Sequence, residues 1–390
     1  MLLIFISLSI ISVLLSRGMT FRERIAEFSK GAGQRDLLFM VWIFVLAGAF
    51  ASSAKAMGAV DATVNLTLQL LPANFLVAGL FISACIVSLC MGTSVGTIVA
   101  LVPIATSLAE KTEISLPLMA AAIVGGAFFG DNLSFISDTT IVATQSQGCK
   151  MSDKFKYNFF LVLPAAIIVS IIYLLLGTGS SDVASATVLW WKIIPYAAVL
   201  LSAALGMNVM LVLLMGILLT GLVGIIDGSY SFMLWTNSLT TGIMSMSELI
   251  LISMMAGGIF SLISKQGLME RFIMLVSKKI HTQRGAELSI CILVAAVNSL
   301  TANNTVAILS IGDIAKQIAS RFSIDPRRSA SLLDTISCTI QGLLPYGAQL
   351  LMASSLAGIS ALSILPYVYY PMFIGLIVLL TILFQGNSKR

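Results

Sequence analysis

The chain has 390 residues, of which 58% are hydrophobic and only 10% are charged, and its formal net charge is +5. A soluble domain carries about 25% charged residues, so this composition excludes an ordinary soluble protein. The excess of lysine and arginine is typical of loops that orient membrane helices, and it gives no reason to expect a nucleic acid partner.

Apolar runs recur along the whole chain and predict an all-α polytopic membrane protein, because about 20 apolar residues make one crossing. The runs cover residues 2–16, 37–57, 74–109, 158–178, 187–205, 207–226, 248–264, 287–320 and 360–384. Small polar residues interrupt the third run at 92–97 and the eighth at 301–305, which predicts two broken helices.

Two further stretches, 117–146 and 328–357, are apolar but rich in Gly, Ser, Thr and Gln. Each is too polar for a plain membrane crossing and long enough to enter the membrane and return. Such a re-entrant hairpin is stable where protein or a water-filled cavity covers its backbone. We therefore predict one re-entrant hairpin in each stretch.

The two halves of the chain align without a gap at an offset of 210 residues, which superposes the two predicted breaks and the two predicted hairpins. The second half counts five crossings, an odd number, so the halves are predicted to run in opposite directions, as inverted repeats of transporters do. The first repeat is expected over residues 1–180 and the second over 187–390. The first repeat counts one crossing fewer, so we expect it to lack its first helix, unless the start of the chain is placed too far downstream.

The basic loop at residues 17–35 is placed in the cytoplasm by the positive-inside rule. Counting one crossing for each broken helix and none for each hairpin also puts Lys111 and the loops 150–156 and 265–284 in the cytoplasm. Three arginines do not fit this count, which puts them outside: Arg321, Arg327 and Arg328.

The densest polar stretch is GDNLSFISDTT at residues 130–140, which holds two carboxylates, one amide and four hydroxyls within eleven residues. Acidic residues at membrane depth are rare unless they handle ions or protons. Na+ prefers hard oxygen ligands, and this stretch supplies them. Burial disfavours a charged carboxylate and a bound cation favours it, so such a site holds either Na+ or protons.

Asp138 is expected to be the main ion-binding carboxylate, because it lies in the denser cluster, and Asp131 is expected to be the second. The rest of the predicted ion- and proton-binding set is polar and uncharged: Asn132, Ser134, Ser137, Thr139, Thr140, Thr93, Ser94, Thr97, Asn303, Asn304 and Thr305. Secondary candidates are Asp313 and Gln341. Structural alternatives stay open, namely a helix cap or water-facing role for Asp131 and close helix packing for the small residues of the first break.

The pattern Gly-Asp-Asn-x-Ser-x-Ile-Ser-Asp-Thr-Thr at 130–140, with Gly-Thr-Ser-x-Gly-Thr at 92–97, resembles the NhaC family of Na+/H+ antiporters in the ion transporter superfamily. The likeness covers residues 37–384, and it departs at Phe135, where the family often has proline, and at Asn132, where it often has histidine. The resemblance implies alternating-access exchange of cytoplasmic Na+ for external H+ at the bacterial cytoplasmic membrane, with no cofactor besides the transported ions. The family also contains malate/lactate antiporters, so an organic acid or amino acid exchanger coupled to a cation or proton stays open.

An organic acid would bring its own carboxylate, which a membrane site answers with a basic residue or helix N-termini. The polar breaks carry no basic residue, which favours a bare cation. An intramembrane enzyme would need a nucleophile with a base, or a metal set such as HExxH, and the only histidine is His281 in a basic loop, so no enzyme activity is expected. Lipid is the expected surrounding, and the oligomeric state stays open, a homodimer included.

Overall fold

The structure is a computed structural model that describes residues 2–70, 72–134, 137–177, 188–205, 207–267, 271 and 281–384. The described residues are almost all helical and contain no strand. The described residues of the first half form nine α-helices: α1 (Leu2–Leu15), α2 (Phe21–Ala32), α3 (Arg35–Met57), α4 (Ala59–Leu70), α5 (Leu76–Met91), α6 (Ser94–Thr112), α7 (Leu116–Leu133), α8 (Asp138–Gln147) and α9 (Met151–Leu176).

The described part of the second half adds α10 (Trp190–Ala204), α11 (Val209–Ile226), α12 (Phe232–Ser245), α13 (Ser247–Lys265), α14 (Gln283–Thr301), α15 (Asn304–Arg321), α16 (Pro326–Leu343), α17 (Ala348–Ala357), α18 (Ala361–Ile364) and α19 (Tyr369–Phe384). Seven helical stretches of the described residues are long and apolar enough to cross a membrane, or eight if one bent pair counts as a span. The predicted all-α polytopic fold is confirmed, although α4 and α12 were not predicted.

Helix bounds repeat along the chain at the offset of 210 residues. Adding 210 to the bounds of α7 gives 326–343, the bounds of α16, and the same sum for α8 gives 348–357, the bounds of α17. The bounds of α6 become 304–322, against 304–321 in α15. The spacing also relates α1 to α11, α2 to α12, α3 to α13, α5 to α14 and α9 to α18 with α19, within a few residues at each end. Local structure therefore follows the sequence register on which the predicted repeat rests.

The related helices α9 and α19 pack against each other in opposite directions. Tyr173, near the end of α9, donates a hydrogen bond of 2.7 Å to the carbonyl of Tyr367, just before α19 begins. At the other end, Arg328 donates to Tyr157, near the start of α9, and to Thr381, near the end of α19. Opposite directions are what an inverted repeat requires of this pair of helices.

The chain reverses direction at the two polar breaks, and not in the two stretches predicted as hairpins. Ser88 of α5 donates a hydrogen bond of 2.6 Å to the Ala127 carbonyl of α7. The backbone of Phe81, two turns earlier in α5, lies against Gly126, and Ser88 also lies against Gly130, one turn further along α7. Positions therefore increase together along both helices, so α5 and α7 are parallel and the intervening α6 runs back.

The second half repeats this arrangement. Asn298 of α14 donates to the Ser337 carbonyl, and the Ala302 carbonyl after α14 accepts from Gln341, so α14 runs parallel to α16 and α15 runs back. Residues 116–147 form one 32-residue candidate crossing instead of a hairpin. The two predicted shapes are thus exchanged. The hairpins lie in the stretches predicted as broken helices, 74–109 and 287–320, and not in the stretches predicted as hairpins, 117–146 and 328–357. Local polarity marks where a helix breaks, but it does not show whether the chain turns back there.

This exchange leaves the number of crossings unchanged but moves the ends of both hairpins to the other side. Arg328 contacts Tyr157 of α9, so residues 321–328 lie on the same side as the basic loop 150–156. The three arginines that did not fit the positive-inside count now agree with it. Lys111 moves the other way, to the side of α4, where it pairs with Asp61.

Two helix crossings outside the hairpins are made by pairs of glycines. A Cβ added to Gly48 of α3 would collide with the Gly242 carbonyl of α12, and one added to Gly31 of α2 would collide with the Gly257 carbonyl of α13. The two pairs lie within one residue of positions related by 210. Small residues let membrane helices approach until their backbones touch.

Candidate functional site

Both hairpin tips are built on a left-handed residue at equivalent positions. Gly92 ends α5 with φ 69° and Ala302 ends α14 with φ 49°, and in each case an extended residue follows before the next helix begins. Asn303 caps α15 by accepting a hydrogen bond of 3.0 Å from the Val306 amide. Each tip therefore exposes the N-terminus of a returning helix, which carries a partial positive charge.

Asp131 connects the first hairpin tip to the break between α7 and α8. Its side chain is only 4% exposed, and it lies in the last turn of α7. The carboxyl group interacts with both the hydroxyl and the backbone amide of Ser94, the first residue of α6. The buried carboxyl group thus lies at the N-terminus of the returning helix, where the helix dipole favours its charged form.

A chain of amides connects this carboxylate to the second hairpin tip. Gln341 Nε2 donates to the Ala302 carbonyl at 2.8 Å and to Gln349 Oε1 at 3.0 Å. Gln349 Nε2 in turn donates to Ser94 Oγ at 3.0 Å. The secondary candidate Gln341 therefore belongs to the same network as Asp131. Gln349 was not predicted, although it lies at the start of α17, directly after the break at residues 344–347 that separates α16 from α17.

Burial reverses the predicted order of the two carboxylates. Asp138, the first residue of α8, is exposed, whereas Asp131 is buried. The hydroxyls of Ser137 and Thr139 lie 3.0 Å apart, and Thr140 donates a hydrogen bond of 3.3 Å back to the Asp131 carbonyl. Of the two carboxylates, Asp131 is therefore the one enclosed by protein beside the hairpin tip. Residues 135–136 of the motif, with its departure at Phe135, lie outside the described residues.

A buried ion pair lies beside this motif. Lys154 Nζ and Asp334 Oδ2 are 2.6 Å apart, and both side chains are buried, at 1% and 0% exposure. The ammonium also donates to Thr140 Oγ1 at 2.6 Å and to the Asn132 carbonyl at 3.0 Å. Lys154 belongs to α9 in the first half and Asp334 to α16 in the second, so the pair joins the two halves of the chain.

Lys154 was not predicted to be buried, because the run Lys150, Lys154 and Lys156 was interpreted as a cytoplasmic loop. In the structure α9 begins at Met151, seven residues before the predicted start of that segment. Lys154 then shares a buried helix face with Asn158 and Leu161. The i, i+4, i+7 spacing of buried positions is the signal that could have shown it facing inward.

The remaining predicted residues have mixed surroundings. Ser134 and Thr97 are buried, and Thr97 donates to the Thr93 carbonyl at 3.1 Å. Asn304 is buried with its amide 3.8 Å from the Cys338 sulfur, and its Oδ1 accepts from the Thr305 amide. Asp313 is exposed on α15. The structure thus brings the two hairpin tips, Asp131 and Gln341 together and leaves Asp313 outside the group.

A small cavity reaches the second hairpin tip. Its volume is about 30 Å³, and its polar lining includes Gln34, Ser253, Thr301, Asn303 and Tyr346. A cavity needs roughly 10–15 Å³ to hold one water, so this one has room for about two waters. It lies between α3, α13 and the second hairpin tip, and Asp131 and Ser94 are not among the residues that line it.

Comparisons with known proteins identify relatives of this chain. A family model described as the Na+/H+ antiporter family matches residues 2–178 and 181–386. The Malate-2H(+)/Na(+)-lactate antiporter of Bacillus subtilis (strain 168) is 24% identical over 364 residues, covering 84% of this chain and 77% of that protein. The Na(+)/H(+) antiporter NhaC of the same organism is 25% identical over 374 residues, covering 87% and 81%.

Among solved structures, the YdaH transporter of Alcanivorax borkumensis is similar over 99% of this chain and 98% of that one, with 13% identity and a TM-score of 0.48. The curated relatives are bacterial, and the candidate spans make this a multi-pass protein of the cytoplasmic membrane. Because the family model covers nearly the whole chain, the protein belongs to the Na+/H+ antiporter family.

Proposed function

We propose that the protein is a secondary transporter that exchanges Na+ for H+ across the membrane, with Asp131 as the carboxylate that holds either ion. The observation that carries this proposal is the position of Asp131, which is 4% exposed and rests on the tip of the first hairpin. An ionised carboxylate in such a place needs a positive partner, which is either a proton or a metal cation. One group that can hold only one of two ions is the chemical basis of exchange.

The oxygen atoms around Asp131 suit a hard cation. The Ser94 hydroxyl lies beside the carboxylate and accepts a hydrogen bond from Gln349. The Thr140 hydroxyl donates a hydrogen bond to the Asp131 carbonyl. Carboxylate, hydroxyl and carbonyl oxygens are the ligands that hard cations prefer. Asp138 is exposed and lies directly after the break between α7 and α8, so it would bind the cation first and transfer it to Asp131.

Alternating access would come from two inverted repeats. The matching helix bounds, the opposite directions of α9 and α19 and the paired hairpin tips support this part of the proposal. The amide chain through Gln341 and Gln349 ties the tip of one repeat to the tip of the other. Loss of the ion from Asp131 would therefore change the hydrogen-bond network that both hairpin tips share. The transport cycle proposed here needs no covalent catalysis.

An exchanger of organic acids is the second candidate, because the Malate-2H(+)/Na(+)-lactate antiporter of Bacillus subtilis is 24% identical to this chain. Lys154 is the buried basic residue beside the candidate site that could bind a substrate carboxylate. Its three N–H donors are already used by Asp334, Thr140 and the Asn132 carbonyl. This observation favours a bare cation.

The experiment that tests the proposal uses inverted membrane vesicles with an acid-inside pH gradient and a fluorescent dye that reports it. NaCl, LiCl, KCl, choline malate, choline lactate and several amino acids are added in turn. We expect NaCl alone to dissipate the gradient in proportion to the amount of protein. A response only to the organic substrates would refute Na+/H+ exchange and establish the second candidate.

A further inference from the structure

The pocket around Asp334 contains more acceptor oxygens than its occupant can use. The Lys154 ammonium has three N–H donors, and they go to Asp334 Oδ2, Thr140 Oγ1 and the Asn132 carbonyl. Three further side-chain oxygens of these residues are buried without a hydrogen bond of normal geometry among the described residues: Asp334 Oδ1, Asn132 Oδ1 and Asn158 Oδ1. The Thr139 side chain is the neighbouring donor for Asp334. Six oxygens thus belong to a cluster with one ammonium.

The orientation of the Asn158 amide follows from the acceptors around its nitrogen. The neighbouring Asn132 amide contacts the Tyr370 hydroxyl at 3.0 Å. Asn158 Nδ2 donates to the Asn132 carbonyl at 2.9 Å and to Asp334 Oδ2 at 3.1 Å. Turning the Asn158 amide would aim its oxygen at two acceptors, so the orphaned oxygen is a consequence of the network. Buried acceptors without donors are costly, and they point to a missing positive ligand.

The repeat shows that the architecture does not need this ion pair. Subtracting 210 from Asp334 gives Val124, and adding 210 to Lys154 gives Ile364, and both of these equivalents are fully buried apolar residues. Replacing a buried ion pair with apolar residues is often neutral or stabilising, so stability alone does not explain a pair in one repeat only. A role in handling ions does explain it.

We propose that the pocket formed by Asn132, Thr140, Asn158 and Asp334 is a second binding site for an alkali cation, filled in this conformation by the Lys154 ammonium. Its ligand class is a small monovalent cation such as Na+ or Li+, because the oxygens are one carboxylate, one hydroxyl and amide carbonyls. Lys154 is a built-in cation that excludes a mobile one. The inference rests on the proposed function, since it concerns the ions that the same network carries.

The charge balance around this pocket fits one mobile cation. Asp131 and Asp334 act on each other electrostatically, and Asp138 also acts on Asp131. Lys154 compensates one of the two buried carboxylates, and a cation at Asp131 compensates the other. With Lys154 in place the buried network therefore accepts one cation, and without it the network has room for two. Lys154 thereby sets how many cations are bound for each protein molecule.

The test counts Na+ bound to the purified full-length protein, with radioactive ²²Na+ and equilibrium dialysis. Lys154→Met removes the ammonium and keeps a side chain of similar length. We expect Lys154→Met to bind one more Na+ per protein at saturation than the wild type. We expect the added Asp334→Asn substitution in a double variant to remove this extra site.

Lys192→Met is the matched control, because Lys192 forms an ion pair of 3.0 Å with Asp227 away from both hairpins. It should leave the Na+ count unchanged. Lys154→Arg keeps a permanent cation in the pocket and should also leave the count unchanged. A Lys154→Met protein that is monodisperse and binds no more Na+ than the wild type overturns the inference.

Lys154→Met leaves a buried carboxylate without its partner, so its thermal unfolding is followed in parallel. A ligand that binds only the folded state raises the unfolding temperature. NaCl should therefore stabilise Lys154→Met more than it stabilises the wild type, while choline chloride should not. A variant that stays unfolded in NaCl also overturns the inference. The proposed function fails separately, if the wild type binds no Na+ and NaCl leaves the vesicle pH gradient intact.

Discussion

Replacing the buried carboxylate with an amide of the same size, Asp131→Asn, should weaken Na+ binding by about two to three powers of ten. The reason is the place of the charge. Asp131 is 4% exposed, so little water screens its attraction for a cation. The amide keeps the shape and most of the hydrogen bonding of the side chain and removes only the charge.

The size of the effect follows from Coulomb's law. Two unit charges about 4 Å apart attract by about 4 kcal/mol at the effective dielectric constant of 20 that suits buried protein sites, and by about 1 kcal/mol in bulk water. Since 1.4 kcal/mol is a factor of ten, these energies correspond to about 700-fold and about fivefold. Asp131→Asn should therefore cost about 700-fold in Na+ affinity. Asp138→Asn should cost about fivefold, because Asp138 is exposed.

The assay is equilibrium binding of radioactive ²²Na+ to purified protein, because Asp131→Asn also removes the group that carries the proton and should give no pH response in vesicles. Asp61→Asn is the control, because Asp61 is a 61% exposed carboxylate that pairs with Lys111 on the far end of the first hairpin. It should behave as the wild type does. An Asp138→Asn protein that loses a hundredfold while Asp131→Asn loses less than tenfold would refute the argument from burial and restore the order predicted from sequence.

Three further predictions concern stability and are read from the thermal unfolding of purified protein. Gly130→Ala should destabilise by about 1–3 kcal/mol, because its Cβ would overlap the side chain of Ser88 on the parallel helix α5. Arg328→Met should cost about 3–5 kcal/mol, since it leaves a carboxylate that is 1% exposed without its partner. Asp325→Ala should cost about 0.5–2 kcal/mol, since Asp325 caps α16. The hydrogen bond from the Arg327 side chain holds the pKa of Asp325 below its usual value, so this contribution is fully present above about pH 4 and is lost as the pH falls through the lower folded-state pKa. Wild-type unfolding temperatures in all three variants would contradict the contacts described above.

Much of the fold could be predicted from hydrophobic runs and from the register of 210 residues. The break at 92–97 corresponds to the turn at Gly92, and the break at 301–305 corresponds to the turn at Ala302. The direction of the chain after each break could not be predicted, because it depends on which helices pack in parallel. That information lies in contacts such as Ser88 with Ala127, which are 39 residues apart in sequence.

The candidate site was predicted in its composition and not in its electrostatics. Asp131 and Ser94 were both in the predicted set, and the structure joins them directly. Lys154 was not in the predicted set, because a lysine in a basic run is ordinarily solvated. It is buried because α9 begins at Met151, one turn before it. The partner that it neutralises, Asp334, comes from the other half of the chain, which no local pattern indicates.

The glycine crossings bear on how a mutational scan of this protein should be interpreted. Gly48 and Gly242 touch through their backbones, as do Gly31 and Gly257, so any side chain at these four positions must push two helices apart. None of the four lies on a hairpin or near a buried charge. A scan scored by growth in high salt would nonetheless rank them beside Asp131. Only a separate score for protein abundance would distinguish residues that bind the ion from residues that hold the helices close enough for it to be bound.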